Sequence, residues 1–332
     1  MHWPQRQDSE ETVLLKIKAW VLAGLFFSCA PVWGAYPDRP LTLVVPYPPG
    51  GTTDALARIV AAALSKDLGT TVVVENKGGA GGILGTTAVA RAKPDGYTVL
   101  FGNVGPNALN VSTYKTLPYD AARDFQPISL VANFPLFLVV HPSVPAKTVQ
   151  ELVAYAKTLP SGLDYASVGT GSLSHLTGQL FSSSTGAPLV HIPYKGGGPA
   201  VTDLLGGQVP MMFLSVYDNN IRSGKLRAIG TSSKKRSSIA PDVPTLAESG
   251  VPNFDVTAWF GILAPAQTPV PIITLLHDKI AAIVAQPSVR TQIQNFGGEP
   301  VSNSPAEFAA LVTADIERWK GIVKNTPAFT AE

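Results

Sequence analysis

LTLVVPYPPGGTTDALARIVAAALSKDLGTTVVV, residues 41–74, is the stretch whose reading decides the fold. Leu41 to Val45 is a short apolar run, too short for a buried helix and bounded by prolines, so it reads as a buried strand. Pro48-Pro49-Gly50-Gly51 breaks it. From Asp54 to Leu68 apolar residues recur at helical spacing, and Gly69 stands where a left-handed glycine closes a helix. Thr71 to Val74 is β-branched and reads as a second strand. Strand, helix and strand in so short a span form a parallel α/β unit, because parallel strands need a crossover between them.

The pattern continues outward. Gly78 to Gly82 is a loop, Ile83 to Ala92 a helix and Thr98 to Phe101 a third strand. A second series begins near residue 139, with a strand over Leu136 to Val140. Thr148 and Glu151 then form a capping box that opens a helix to Lys157. Asp164 to Ala166 and Leu189 to Ile192 read as strands on either side of a helix from Ser172 to Ser184. Pro199 to Leu205 is helical, and Met211 to Leu214 and Leu226 to Ile229 are strands. The chain returns through Phe254 to Leu263 and ends in helices near 270–285, 288–296 and 305–324. The last opens on a second capping box, Ser304 to Glu307, with Pro305 at its first position. The fold class expected is α/β: two lobes, each a mostly parallel sheet flanked by helices, with a cleft between them. Lobe 1 takes residues 36–138 plus 255–332, and lobe 2 takes 139–254.

Hydrophobic residues make up 45% of the 332 positions, enough for two cores, and charged residues only 14%, against about 25% in average proteins. The net charge of +2 gives no field that would draw nucleic acid, and the densest basic cluster, Lys234-Lys235-Arg236, is a solvated turn rather than a basic stripe. Lys16 and Lys18 precede an apolar run from Ala19 to Ala30. It has the length of a signal-peptide core and is short for a membrane span. An export signal over residues 1–35 is expected, cleaved near Gly34 or Ala35. A buried N-terminal helix and a lipid anchor on Cys29 are the other readings. Removal would take away as many acidic as basic residues and the one cysteine, leaving a chain suited to an oxidising compartment.

Three glycine-rich turns each lead into a helix: Pro48 to Asp54, Gly169 to His175, and Tyr194-Lys195-Gly196-Gly197-Gly198. A helix start carries orphan N–H groups and partial positive charge, and glycine lets a ligand approach the backbone. Any one of these can be a tight turn and nothing more. Three, drawn from both series, point to an anion site. Hydrogen bonds to a charged group contribute roughly 1.5–3 kcal/mol each. About four of them would supply what a micromolar ligand needs, ~8 kcal/mol.

Enzyme signatures are weak. Gly79, Gly81, Gly82 and Gly85 miss the spacing of a dinucleotide fingerprint by one place. No nucleophile-elbow or phosphate-loop pattern is present. The histidines at 141, 175, 191 and 277 lack metal-ligand spacing. No cofactor or metal is therefore expected. Ser174 and His175 are sequence neighbours, and neighbours on a helix diverge, so they make no nucleophile–base pair. His175 is a packing or capping residue, or a ligand contact. Trp259 and Phe260 lie where the chain recrosses, as interlobe packing or as cleft wall.

These segments carry a resemblance. Val45-Pro46-Tyr47-Pro48-Pro49-Gly50-Gly51-Thr52-Thr53-Asp54, Pro94-Asp95-Gly96-Tyr97-Thr98, Leu117-Pro118-Tyr119-Asp120, Pro193-Tyr194-Lys195-Gly196 and Pro241-Asp242-Val243-Pro244-Thr245, in this order and spacing, resemble the periplasmic receptors of tripartite tricarboxylate transporters, the Bug proteins. The resemblance implies a hinged two-lobe periplasmic-binding fold with two crossing strands. It implies a small carboxylate held by backbone N–H groups. Carried over by position, it implies ligand contacts at Pro49, Gly50, Gly51, Thr52 and Asp54, at Asn103, and at Gly169, Thr170, Gly171, Ser172, Ser174 and His175. Lys195 joins them from the third turn. The chain departs from the family after Met212-Phe213, where Leu214 to Asn220 is a shorter stretch. There Asp218 either faces the cleft or caps the next helix. The implied function is a non-enzymatic receptor, acting as a monomer. It would pass a di- or tricarboxylate, amino acid or aromatic acid to large and small membrane transporter subunits. A receptor for a signalling partner and a secreted enzyme on the same fold are the alternatives.

Overall fold

A computed structural model describes residues 36–194 and 197–324. The export signal and Lys195 lie outside the described residues. Strands β1 (Leu41–Val45), β2 (Val72–Asn76) and β3 (Thr98–Asn103) are joined by helices α1 (Thr52–Leu68) and α2 (Ile83–Ala90). After β3 the chain makes a π-helical turn, Gly105–Leu109, and a single helical turn α3 (Asn110–Thr113). It then runs through the long strand β4 (Phe125–Pro135) and, one residue on, β5 (Phe137–Val140). The second series follows as α4 (Val149–Thr158), β6 (Leu163–Ser167), α5 (Leu173–Thr185), β7 (Leu189–Pro193), α6 (Gly197–Leu205), β8 (Met211–Leu214), α7 (Asn219–Arg222) and β9 (Arg227–Thr231). The chain returns on β10 (Thr257–Pro265) and ends with α8 (Val270–Ala285), α9 (Pro287–Asn295), β11 (Glu299–Pro300) and α10 (Pro305–Lys324).

Two sheets result, ordered β11-β4-β10-β3-β1-β2 and β7-β6-β8-β5-β9. The α/β two-lobe expectation stands, but "mostly parallel" needs correction. Only β1 with β2 and β3, and β6 with β7 and β8, pair in parallel. Strands β4, β5, β10 and β11 pair antiparallel. The physical reason is the route of the chain. A parallel pair needs a helical crossover on its own sheet, whereas β4, β5 and β10 are entered from, or lead to, the other sheet.

Leu136 is the single residue between the sheets on the outward path. Its carbonyl accepts the Ser232 N–H (2.8 Å), and its N–H donates to Ser232 Oγ (2.9 Å). Ser232 Oγ donates to the Val256 carbonyl at 2.5 Å, and Val256 N–H returns to the Ser232 carbonyl at 2.8 Å. All three residues are buried. Behind the returning strand, Trp259 is fully buried and donates its indole N–H to Asp315 Oδ2 at 2.7 Å, tying β10 to α10.

The helix ends follow the chemistry read from the sequence. Gly69 closes α1 in the left-handed conformation. Glu307 N–H donates to Ser304 Oγ, and Glu307 Oε2 accepts from Ser304 N–H, a complete capping box. At α4, Glu151 N–H donates to Thr148 Oγ1, but the Glu151 carboxylate takes the N–H of Lys147, one residue further back.

Candidate functional site

A cavity of about 720 Å³ opens between the two sheets. On the second-lobe side it is floored by the loop that joins β6 to α5. Gly169 and Gly171 adopt φ of +141° and +75°, which side-chain-bearing residues rarely adopt. Most polar groups of this loop are spent internally. Ser167 Oγ accepts from Gly169 N–H, Ser174 Oγ from Val168 N–H, and Ser172 Oγ, the helix cap, from His175 N–H. Ser172 N–H donates to the Gly169 carbonyl. His175 folds back beneath the loop, where its Nδ1 accepts the Gly171 N–H at 3.1 Å.

The amides of Thr170, Leu173 and Ser174 donate to no acceptor among the described residues. They stand at the start of a 13-residue helix, on residues that line the cavity. Unspent donors at and just before the positive end of a helix dipole suit an anionic oxygen.

His175 is nearly fully buried, and its ring lies flat on that of His191, with centroids 3.5 Å apart and planes 9° apart. His191 Nε2 lies 2.7 Å from Ser167 Oγ. Burial, and then the neighbouring His191, lower the His175 pKa to about 3; burial lowers that of His191 to about 4. Both rings are therefore neutral near neutral pH. A neutral His175 with an accepting Nδ1 carries its proton on Nε2. The pair supports the loop from behind and does not line the cavity.

The first-lobe side is built around Asn103 at the end of β3. Its Oδ1 accepts from Tyr47 Oη (3.2 Å) and from Gly105 N–H (3.0 Å). Burial pushes the Tyr47 phenol up to about 12, so it stays a neutral donor. A Cβ on Gly105 would lie 3.0 Å from the Tyr47 hydroxyl and 3.1 Å from Asn103 Oδ1, so a larger residue there would crowd this hydrogen bond. Asn110 Nδ2 donates to the Gly81 carbonyl, and Thr113 and Tyr114 complete this wall.

The structure thus brings Asn103, Gly169, Thr170, Gly171, Ser172 and Ser174 together on one cavity; Lys195 lies outside the described residues, and the other members of the sequence-derived set do not line it. Pro49, Gly50 and Gly51 are exposed, Thr52 is half-buried, and none of them lines the cavity. Asp54 is buried and holds that turn: it accepts from Gly50 N–H and Asn76 Nδ2 and pairs with Arg58 at 3.0 Å. Burial opposes its charge, but Arg58, the Gly50 amide and Asn76 outweigh it and keep the carboxyl below the usual range. Asp218 caps α7, accepting from Asn220 and Ile221 N–H. Of the third turn, Gly197 lines the cavity, and Tyr194 Oη donates to Asp203. Phe260 lines the cavity while its neighbour Trp259 faces α10, as alternate positions on a strand must.

Tyr47, Gly81, Asn110, Thr113 and Tyr114 were not singled out by sequence reasoning. Tyr47 follows β1, Gly81 sits in a 3₁₀ turn after β2, and Asn110, Thr113 and Tyr114 lie in or beside the single turn α3, segments too short for periodicity to mark an inward face. Among the described residues, no group of three His, Cys, Asp or Glu side chains is placed to hold a metal ion.

Residues 56–327 match the family model described as the tripartite tricarboxylate transporter family receptor. The chain belongs to this family. It is the family that the sequence motifs resemble, and its members are solute receptors. The Bordetella pertussis protein BugT is 40% identical over 296 residues, covering 88% of this chain and 91% of BugT. An R. palustris protein solved with adipate is 36% identical with a TM-score of 0.76, over 87% of this chain and 97% of that one. The periplasmic binding protein BugD is 39% identical with a TM-score of 0.72, over 87% and 98%. The receptor family's two-lobe architecture is therefore this chain's architecture.

Proposed function

We propose that this chain is an extracytoplasmic solute receptor that captures a small carboxylate between its lobes and delivers it to the membrane subunits of a tripartite tricarboxylate transporter. The observation that carries the reading is the opening of α5. There the amides of Thr170, Leu173 and Ser174 remain unspent on a cavity wall, while those of Val168, Gly169, Gly171, Ser172 and His175 have acceptors within the loop. Adipate, bound by the R. palustris relative, is a carboxylate and supports the same ligand class here.

Capture and release, without turnover, is the chemistry this site favours. Ser174 Oγ accepts from Val168 N–H and His175 Nδ1 accepts from Gly171 N–H, so neither acts on the other as nucleophile and base. In this reading residues 1–35 are removed on export, with cleavage near Gly34 or Ala35. Lobe 1 comprises residues 36–138 and 255–332, and lobe 2 comprises 139–254. The buried junction of Leu136, Ser232 and Val256 supports boundaries close to it. Ligand binding favours the closed state because only that state joins contacts from both lobes.

The test is mass spectrometry of small molecules released from freshly purified protein, followed by thermal melts with the acid found. A single carboxylate that raises the melting temperature saturably supports the reading. A broad acid panel that leaves the melt unmoved counts against it.

A further inference from the structure

The cavity is polar at one end and apolar along its back. The polar end is the α5 opening with Asn103 and Tyr47 opposite. The back wall is Leu136 and Phe260 at the two crossings, with Phe213, Leu214 and Val216 from the end of β8. This wall is rigid. Phe260 sits edge-on to Phe134, with centroids 5.2 Å apart, and is stacked with Phe101 at 6.5 Å; Phe213 is edge-on to Phe181 at 5.8 Å. Rings held on two sides keep their faces where they are and present a preformed surface. Val168, 41% exposed, adds an uncovered apolar side chain to the same space. Among the described residues, no lining side chain carries a formal charge.

This asymmetry separates acids by their bodies. A carboxylate at the α5 opening meets three amides. A second carboxylate laid against Phe213, Leu214 and Phe260 would lose its water on their apolar side chains. The Ser215 and Val216 amides on that side also have no acceptor among the described residues, but they stand at no helix opening and lack the dipole of α5. Each methylene or ring carbon on the same wall instead strengthens binding about fourfold. The cavity volume of 720 Å³ lies in the range that encloses drug-sized molecules, well beyond the needs of a four-carbon acid.

We propose that the site selects acids with one carboxylate and an apolar body, aromatic or aliphatic, larger than that of malate, and rejects short di- and tricarboxylates. This inference rests on the receptor reading above and narrows its ligand class. The experiment is calorimetric titration of the purified full chain with benzoate, hexanoate, malate and citrate under one buffer condition. Benzoate or hexanoate binding at least about tenfold more tightly than both malate and citrate is the expected result. Malate or citrate binding as tightly or more tightly overturns the inference and leaves the receptor reading standing. No binding by any of the four overturns the inference, and no binding by the broader panel of the receptor test as well overturns both.

A second arm places a cation on the wall. Val216→Arg is expected to weaken the preferred monocarboxylate by about tenfold and to strengthen malate. Ser215→Arg, at an exposed lining position, serves if Val216→Arg does not fold. An unchanged preference in a folded variant overturns the role of this wall.

Discussion

Ser232 and Leu136 exchange two hydrogen bonds where the chain passes between its sheets: Ser232 N–H donates to the Leu136 carbonyl at 2.8 Å, and Leu136 N–H donates to Ser232 Oγ at 2.9 Å. Ser232 also bonds Val256 through both its hydroxyl and its carbonyl, so one buried serine ties the outward path to the return path. Ser232→Ala deletes the hydroxyl and leaves the Leu136 amide and one Val256 acceptor buried without it. The expected cost is about 1–3 kcal/mol of stability, read by urea denaturation. A variant as stable as the parent would mean that water or backbone adjustment replaces the hydroxyl.

Gly171 faces the other lobe. A Cβ built there meets Thr113 Cβ and Cγ2 at 3.8 Å, and the residue's φ is +75°. The β-carbon itself fits. The branches of valine would project into the cleft, and a β-branched residue at this φ costs on the order of 1–3 kcal/mol. Gly171→Val should melt a few degrees lower yet remain folded, and should bind its acid at least about tenfold more weakly. Calorimetry at a temperature well below the melt separates the two effects. Full affinity in the folded variant would remove this loop from the site.

The stacked pair of His175 and His191 makes stability depend on pH. Their folded-state values, about 3 and about 4, lie below the ~6.5 of an unfolded histidine. Between those limits the unfolded chain binds more protons than the native one, so stability falls as pH falls. The contribution is complete above ~6.5 and is lost progressively toward the folded values. For the buried His175 the loss from pH 7 to pH 5 is on the order of 2 kcal/mol. Melting curves across this window should slope downward toward acid, and His175→Gln should flatten the slope. The same substitution should loosen ligand binding, because the Gly171 amide loses its Nδ1 partner. Equal slopes for the two proteins would show that other groups set the acid limit.

The alternation of strands and helices, the caps at Ser304 and Gly69, and the second-lobe loop were all legible from residue types and spacing. The eleven-residue β4 was not. Ile128 to Ala132 is buried at every position, so no alternation marks it, and Pro127 and Pro135 resemble loop punctuation. Nor does sequence show which donors are already used. The turns at Gly50 and at Gly169–Gly171 look alike as glycine-rich helix openings. Only the structure shows that Asp54 engages the Gly50 amide and His175 that of Gly171, while Thr170, Leu173 and Ser174 remain. Tyr47 and Tyr114 were invisible because an aromatic in irregular chain carries no directional signal.

Asp54 decides whether the first-lobe turn is a contact or a support. The carboxylate is buried, accepts from Gly50 N–H and Asn76 Nδ2, and pairs with Arg58. Its folded pKa is lowered, since those partners outweigh the burial that opposes its charge. The stability it contributes is therefore present above the unfolded value of ~3.9 and is lost as pH falls through the folded one. Asp54→Asn keeps the shape and removes the charge. At neutral pH it should cost about 1–2 kcal/mol. That cost should shrink toward zero below the carboxylate range, where the parent is protonated as well. Paired urea titrations at pH 7 and pH 3 measure the difference. A support role predicts that ligand affinity weakens only in step with the loss of stability, and that it is regained under conditions where the variant's turn is as stable as the parent's. A direct contact predicts a loss of affinity larger than the loss of stability. The turn itself cannot be repaired at Gly50, whose φ of +93° leaves open space around a Cβ but strains any side-chain-bearing residue.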